Sequence, residues 1–203
     1  MNRYAYTEIK NFAVIAGISL FFTAILAGAL LFLYAQTKNS RTFAERIELL
    51  PQEIIPCGFT ITDKQDLLLT IRIDFYNRAH QTAASRTVIL QGQELFFTFA
   101  ELSVQGTDRR LIFPVSLYSD LIPETNAIPL YGAYTGVSGE PVIYTGFPFS
   151  DQASKSTLRD LFASVQSGAN QFCTSGTIGV RNLTEAVRYN WVYNMETHTI
   201  GLQ

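Results

Sequence analysis

Histidine and cysteine are scarce in this chain, with two of each among 203 residues. His80 and His198 stand in polar stretches, and neither has a Cys, His or acidic residue at a metal-ligand spacing. There is no G-x-S-x-G nucleophile motif. The glycine-rich stretch "YGAYTGVSG" lacks the Lys-Ser/Thr pair and the strand–helix context of a phosphate-binding loop. Charge is sparse too: 16% of residues are charged and the formal net charge is −2, against about 25% charged in ordinary soluble domains. No basic run is present, so nucleic acid is not an expected partner. Ser154-Lys155-Ser156 resembles a Ser–Lys pair, but it falls at the polar start of a predicted helix, where serine caps and lysine is solvated. These absences leave no expected catalytic residue, metal ligand or cofactor, and the chain reads as a non-enzyme.

What the sequence does have is a long apolar run. Residues 12–35, "FAVIAGISLFFTAILAGALLFLYA", contain no charge. Spanning a bilayer takes about 20 apolar residues as a helix, whereas the apolar region of a secretion signal is usually about 7–15. The run is apolar all round, unlike the one-sided stripe of a surface helix. It is therefore read as a retained single-pass transmembrane helix, preceded by a short tail over residues 1–11. Ala13, Gly17, Ala24 and Gly28 lie on one face of it, where small side chains let a second membrane helix approach closely.

Beyond the run, Phe43, Ile47 and Leu50 follow helical spacing, with Glu45, Arg46 and Glu48 on other faces. This predicts an amphipathic stalk over residues 36–51, ended by Pro51. The Lys38-Asn39-Ser40 step is open to either a break or a continuous helix. The stripe needs a partner, which is either the following domain or another chain. Positive charge near the two ends of the run is nearly balanced, so it does not decide orientation. The cysteine pair and the short leading tail favour the N-terminus inside and the domain in the periplasm or outside the cell. Cys57 and Cys173 are expected to form a disulfide there. That bridge would close a loop of more than about a hundred residues, worth roughly 4–5 kcal/mol in the chain-entropy model.

Residues 52–203 read as one domain of ordinary size. Leu69, Ile71, Ile73 and Phe75 alternate with Thr70, Arg72 and Asp74, the signature of a half-buried strand. "RTVIL", "ELFFTFAELSV" and "RRLIFPVSLYS" follow, separated by turns with glycine, and predict a three-stranded antiparallel meander. The apolar phase slips near Ala100-Glu101, which predicts a bulge or a switch of facing surface. Pro114 predicts an edge or locally irregular strand. Residues 119–150 are rich in proline and glycine and predict one or two short strands around "SGEP". A helix is expected from Ser150 or Asp151 to Gly168, with Leu158, Leu161, Phe162 and Val165 as its apolar stripe. Strands are expected at "TIGVR" and "RYNWVYNMETHTI". The fold class is α+β, mainly β, with one or two helices in an antiparallel β-rich domain.

The most distinctive feature is aromatic, with 13% Phe, Tyr and Trp. Tyr131, Tyr134, Tyr144, Phe147 and Phe149 lie among turn residues and are read as a partner surface, since tyrosine offers large area at low entropy cost. In architecture alone the plan resembles type IV pilins. It has no Gly-then-Phe processing site, and Lys10 and Asn11 stand where a pilin is apolar. The expected role is an accessory or scaffold subunit of a larger membrane complex. Its expected partners are the lipid bilayer, other membrane subunits and, as an option, further copies of itself. The alternative is a membrane-tethered sensor with an aromatic ligand cavity ringed by Tyr131, Tyr134, Trp191 or Tyr193.

Overall fold

The computed structural model describes the backbone of residues 3–203 and the side chains of residues 20–203 apart from 36, 39 and 40. The protein is α+β, mainly β, with antiparallel sheets and few helices. It divides into two units, Met1–Thr42 and Phe43–Gln203.

The first unit is carried by helix α1 (Arg3–Glu48), which enters the second unit at residue 43. Leu20, Phe21, Phe22, Ile25, Leu26 and the Leu30–Tyr34 side chains are exposed. Among the described residues no helix is long and apolar enough to cross a membrane, and residues 12–19 of the expected span lie outside those whose side chains are described. Ala13 and Gly17 fall in that stretch, while Ala24 and Gly28 are exposed, with open space around Gly28.

The second unit is a two-layer β-sandwich. One sheet has five strands in the order β3-β2-β1-β8-β9: β1 (Glu53–Gln65), β2 (Leu68–Tyr76), β3 (Thr82–Gln91), β8 (Arg188–Asn194) and β9 (Thr199–Leu202). The other has four, in the order β6-β5-β4-β7: β4 (Leu95–Ser103), β5 (Arg110–Ser119), β6 (Ile128–Pro129) and β7 (Cys173–Val180). Alternate residues of facing strands fill the space between them, as strand pleating requires. Phe59 of β1 meets Phe97 of β4 at 4.9 Å between ring centroids, and Trp191 of β8 meets Phe97 and Phe99 at 5.4 and 5.2 Å. Helix α3 (Gln152–Gln166) covers the far side of the four-stranded sheet, where Phe162 packs on Phe113 at 5.4 Å. Asp151 caps α3 by accepting from the Ser154 N–H at 3.1 Å, and Gly168 follows its end at φ +67°.

The stalk stripe finds its partner in the domain. Phe43, Ile47 and Leu50 are buried in the core, and Arg46 donates to the Pro148 carbonyl and forms an ion pair with the Asp151 carboxylate. Arg109 adds the Leu50 carbonyl, and Glu48 accepts from Thr107.

Several sequence expectations are corrected here. The three-stranded meander is split, because β3 pairs with β2 in one sheet while β4 and β5 lie in the other. The turn at Gly92, with φ +149°, carries the chain between layers, a conformation rarely open to a side chain. Strand β1, not foreseen as a separate element, is the central strand of the five-stranded sheet. The bulge lies on β5 rather than at Ala100-Glu101: Thr98 pairs with Ser116 and Phe99 with Pro114, leaving Val115 extra. Strand β4 itself keeps an unbroken register with β7, so its phase slip reflects burial on both faces. The irregular strand expected at Pro114 is β5, whose outer neighbour β6 reaches only Ser116 and Leu117. Of the short strands expected in residues 119–150, the segment holds the two-residue β6, and around "SGEP" itself only the isolated bridge of Thr135 with Pro141. The expected final strand is two, β8 and β9, folded back at Met195–His198.

Cys57 and Cys173 are free thiols, not a disulfide. Cys57 faces Phe75 and Trp191 in the middle of the five-stranded sheet, while Cys173 starts the edge strand of the other sheet opposite Leu102. Burial pushes the Cys57 thiol well above its ordinary value and raises that of Cys173 as well.

Candidate functional site

The outward face of the five-stranded sheet carries the polar cluster. Strand register places side chains there in two adjacent rows. One row runs Ser85, Asp74, Gly58, Asn190 across β3, β2, β1 and β8; the next runs Thr87, Arg72, Thr60, Arg188. Asp74, almost fully buried, lies at the junction. Its Oδ1 accepts from Arg72 Nε at 3.0 Å and Ser85 Oγ at 2.6 Å, and its Oδ2 accepts from Arg188 Nη2 at 3.0 Å.

This arrangement needs a glycine between Asp74 and Asn190. A Cβ on Gly58 would come within 2.5 Å of Asn190 Oδ1 and 2.8 Å of the Tyr189 carbonyl. The missing side chain leaves a trough over which Arg188 reaches Asp74. Arg188 also sits 5.2 Å over the Tyr76 ring, a cation–π contact that restrains the guanidinium. Burial raises the Tyr76 phenol, with Arg188 acting in the opposite direction.

Thr60, Thr62, Arg72, Asp74, Thr82 and Arg188 line an open groove of about 390 Å³. A smaller hollow of about 170 Å³ adjoins it through Arg188, bounded by Ile55, Tyr76, His80 and Asn190. Arg72 and Arg188 remain 54% and 52% exposed. One carboxylate therefore holds two guanidiniums in fixed orientation, and the trio keeps a net positive charge facing the groove. Such a surface suits a carboxylate or another strong acceptor, which a guanidinium engages through paired N–H groups. Arg72 and Asp74 were legible as the polar half of an alternating strand. Arg188 is far along the chain, and nothing in the sequence pattern links it to them.

The aromatic surface expected at Tyr131, Tyr134, Tyr144, Phe147 and Phe149 is not assembled. Tyr134, Tyr144 and Phe149 are buried, Tyr131 is half-buried and only Phe147 is exposed. The physical reason lies at the edge of β5. The Tyr134 hydroxyl donates to the Pro114 carbonyl at 2.8 Å, and the Tyr144 hydroxyl bonds both backbone groups of Ile112. These phenols satisfy strand groups that the two-residue β6 does not reach. Burial drives the Tyr134 and Tyr144 phenols far above their ordinary values and lifts Tyr131 to about 12. The aromatic cavity of the sensor reading is likewise replaced by packed rings. Tyr134 touches Phe75 and Phe162, and Trp191 and Tyr193 are buried.

His80 and His198 lie in turns at positive φ, and His198 Nε2 is 2.9 Å from the Asp108 carbonyl. Among the described residues no group of His, Cys, Asp and Glu is placed to hold a metal ion. No protein-family model, curated protein or solved structure matches the chain.

Proposed function

We propose that this protein is a non-enzymatic, single-pass membrane-anchored accessory subunit of a larger membrane complex. Its β-sandwich docks a partner subunit outside the cytoplasm. The anchor reading is supported by the uncharged run over residues 12–35 and by the exposed apolar side chains from Leu20 to Tyr34. Lipid is the solvent such a surface suits.

The observation that carries the docking reading is the Asp74-held pair Arg72 and Arg188 beside an open groove. Orienting two guanidiniums in advance lowers the ordering cost of capturing an acidic partner segment. Arg72 and Arg188 remain about half exposed while Asp74 holds them, so their remaining N–H groups stay open to a partner.

The test is crosslinking mass spectrometry and native-gel migration on gently solubilised membranes, comparing the wild type with Arg72→Gln/Arg188→Gln, which keeps an N–H donor toward the buried Asp74 and removes the positive charge. The wild type is expected in a larger assembly with crosslinks to acidic segments of a partner, and the double variant is expected to run free while remaining folded and membrane-bound. A wild-type chain that migrates alone rejects the subunit role. Unchanged assembly of the double variant rejects the groove as the docking surface. Release of the chain by a carbonate wash rejects the anchor.

A further inference from the structure

Four strand edges bound the two sheets, and three are blunted. Strand β9 spans only Thr199–Leu202, and β6 only Ile128–Pro129. Strand β3 is longer, but α2 (Tyr131–Tyr134) lies against it, Arg86 bonds the Pro129 carbonyl at 2.6 Å and Ser119 bonds the Gln91 carbonyl. Strand β7, "CTSGTIGV", has none of these devices. It is uncharged, contains no proline, and pairs with β4 from Cys173 to Val180 without a bulge. Among the described residues nothing pairs with its outer edge, and Thr174, Ser175, Gly176, Thr177 and Gly179 are exposed. A long, flat, uncharged edge is a template for another strand.

The direction of its backbone groups follows from the opposite side of the same sheet. Ile112 turns its N–H and C=O away from β4 toward Tyr144, so its pair with Glu101 is a non-hydrogen-bonded one. Antiparallel pairs alternate; Glu101 therefore bonds toward β7, and so do Phe99 and Phe97. The bond from Ser103 N to the Phe172 carbonyl, at 3.0 Å, agrees with this phase. Thr174, Gly176 and Ile178 thus bond inward to β4, while Ser175, Thr177 and Gly179 point their N–H and C=O groups outward.

We infer that β7 pairs with β7 of a second copy, antiparallel about a two-fold axis at Thr177, to give a homodimer. The outward groups are symmetric about that residue. Thr177 exchanges both bonds with Thr177 of the second copy, and Ser175 exchanges with Gly179 in each direction. The two four-stranded sheets join into one. Small side chains and a Thr–Thr pair meet across the seam, and no like charges oppose each other. A two-fold contact of this kind is isologous and closes, as in most soluble dimers.

The test uses the full chain in detergent or lipid nanodiscs, with Cys173→Ser removing the half-buried native thiol. Thr177→Cys is expected to give a disulfide-linked homodimer on mild oxidation, and Thr87→Cys on β3 is not. Adding Ser175→Pro removes one outward donor and leaves the inward ladder intact, so the crosslink is expected to fall about tenfold or more. Thr177→Lys, which sets two lysines against each other, is expected to abolish co-purification of differently tagged copies. Protection of the buried Cys57 thiol confirms that each variant is folded. The inference is overturned if folded Thr177→Cys protein yields no homodimer, if Ser175→Pro leaves the crosslink unchanged, or if the crosslink forms to a different protein.

Discussion

The hydroxyl of Tyr144 takes the place of a β-strand against Ile112, accepting from its N–H at 2.8 Å and donating to its carbonyl at 3.1 Å. Strand β5 is thereby satisfied where β6 has ended, and a buried aromatic ring does the work of a ladder partner. Tyr134 does the same for the carbonyl of Pro114, a residue with no N–H to offer.

Tyr144→Phe keeps the ring and removes both bonds, leaving two buried backbone groups unpaired. An unsatisfied buried group costs about 1–3 kcal/mol, so the urea midpoint is expected to fall clearly. Tyr134→Phe, which loses one bond, is expected to fall less. Equal stability of Tyr144→Phe and wild type would show that the phenol is not the partner of Ile112.

Phe162 joins α3 to the four-stranded sheet through Phe113 and to α2 through Tyr131 and Tyr134. Phe162→Ala is expected to cost about 3–5 kcal/mol, the usual range for an aromatic deleted from a core. Thermal unfolding followed by near-ultraviolet circular dichroism reads this directly, because the same change removes the ring packing.

The thiols make a separate prediction. In the native protein a small alkylating reagent is expected to label Cys173 slowly, since its pKa is raised, and to leave Cys57 untouched. Both are expected to react in urea without any reductant. A need for reductant before either thiol reacts would mean that the two are bridged.

Asp151 gives the pH dependence. The Ser154 N–H at the start of α3 holds its carboxyl below the ordinary carboxylate range, with Arg46 adding to the effect. A depressed native pKa means that the unfolded chain binds the proton more readily. The stabilisation is therefore complete above the unfolded value of about 3.9 and is lost as pH falls through the lower native value. Asp120, which accepts from the Gln93 and Glu94 N–H groups, behaves in the same sense. Asp151→Ala is expected to lose about 1 kcal/mol at neutral pH, a typical capping contribution, and to differ less from the wild type in acid, where the wild-type carboxylate is protonated. Denaturant titrations at pH 7 and below pH ~4 measure both effects.

Local periodicity alone determined much of this protein. The alternation at Leu69–Phe75, the helix stripe through Phe162, the Asp151 cap, the buried stripe at Phe43, Ile47 and Leu50 and the irregular strand at Pro114 all follow from neighbours within a few residues of each other. Only the tertiary structure decided which sheet each strand joined. Period two says that one face is buried but does not name the strand beside it, so β3 could not be separated from β4 until the turn at Gly92 crossed the layers. The same limit governed the tyrosines and the cysteines. A phenol is at home on a surface or in a core according to whether a distant backbone edge needs its hydroxyl, and two thiols form a bridge only if the fold brings them together. The Asp74 cluster is the clearest case, since β8 brings Arg188 over Gly58 from more than a hundred residues along the chain. Strand pairing is a long-range choice whose free energy belongs to the assembled sheet, and no short window of residues contains it.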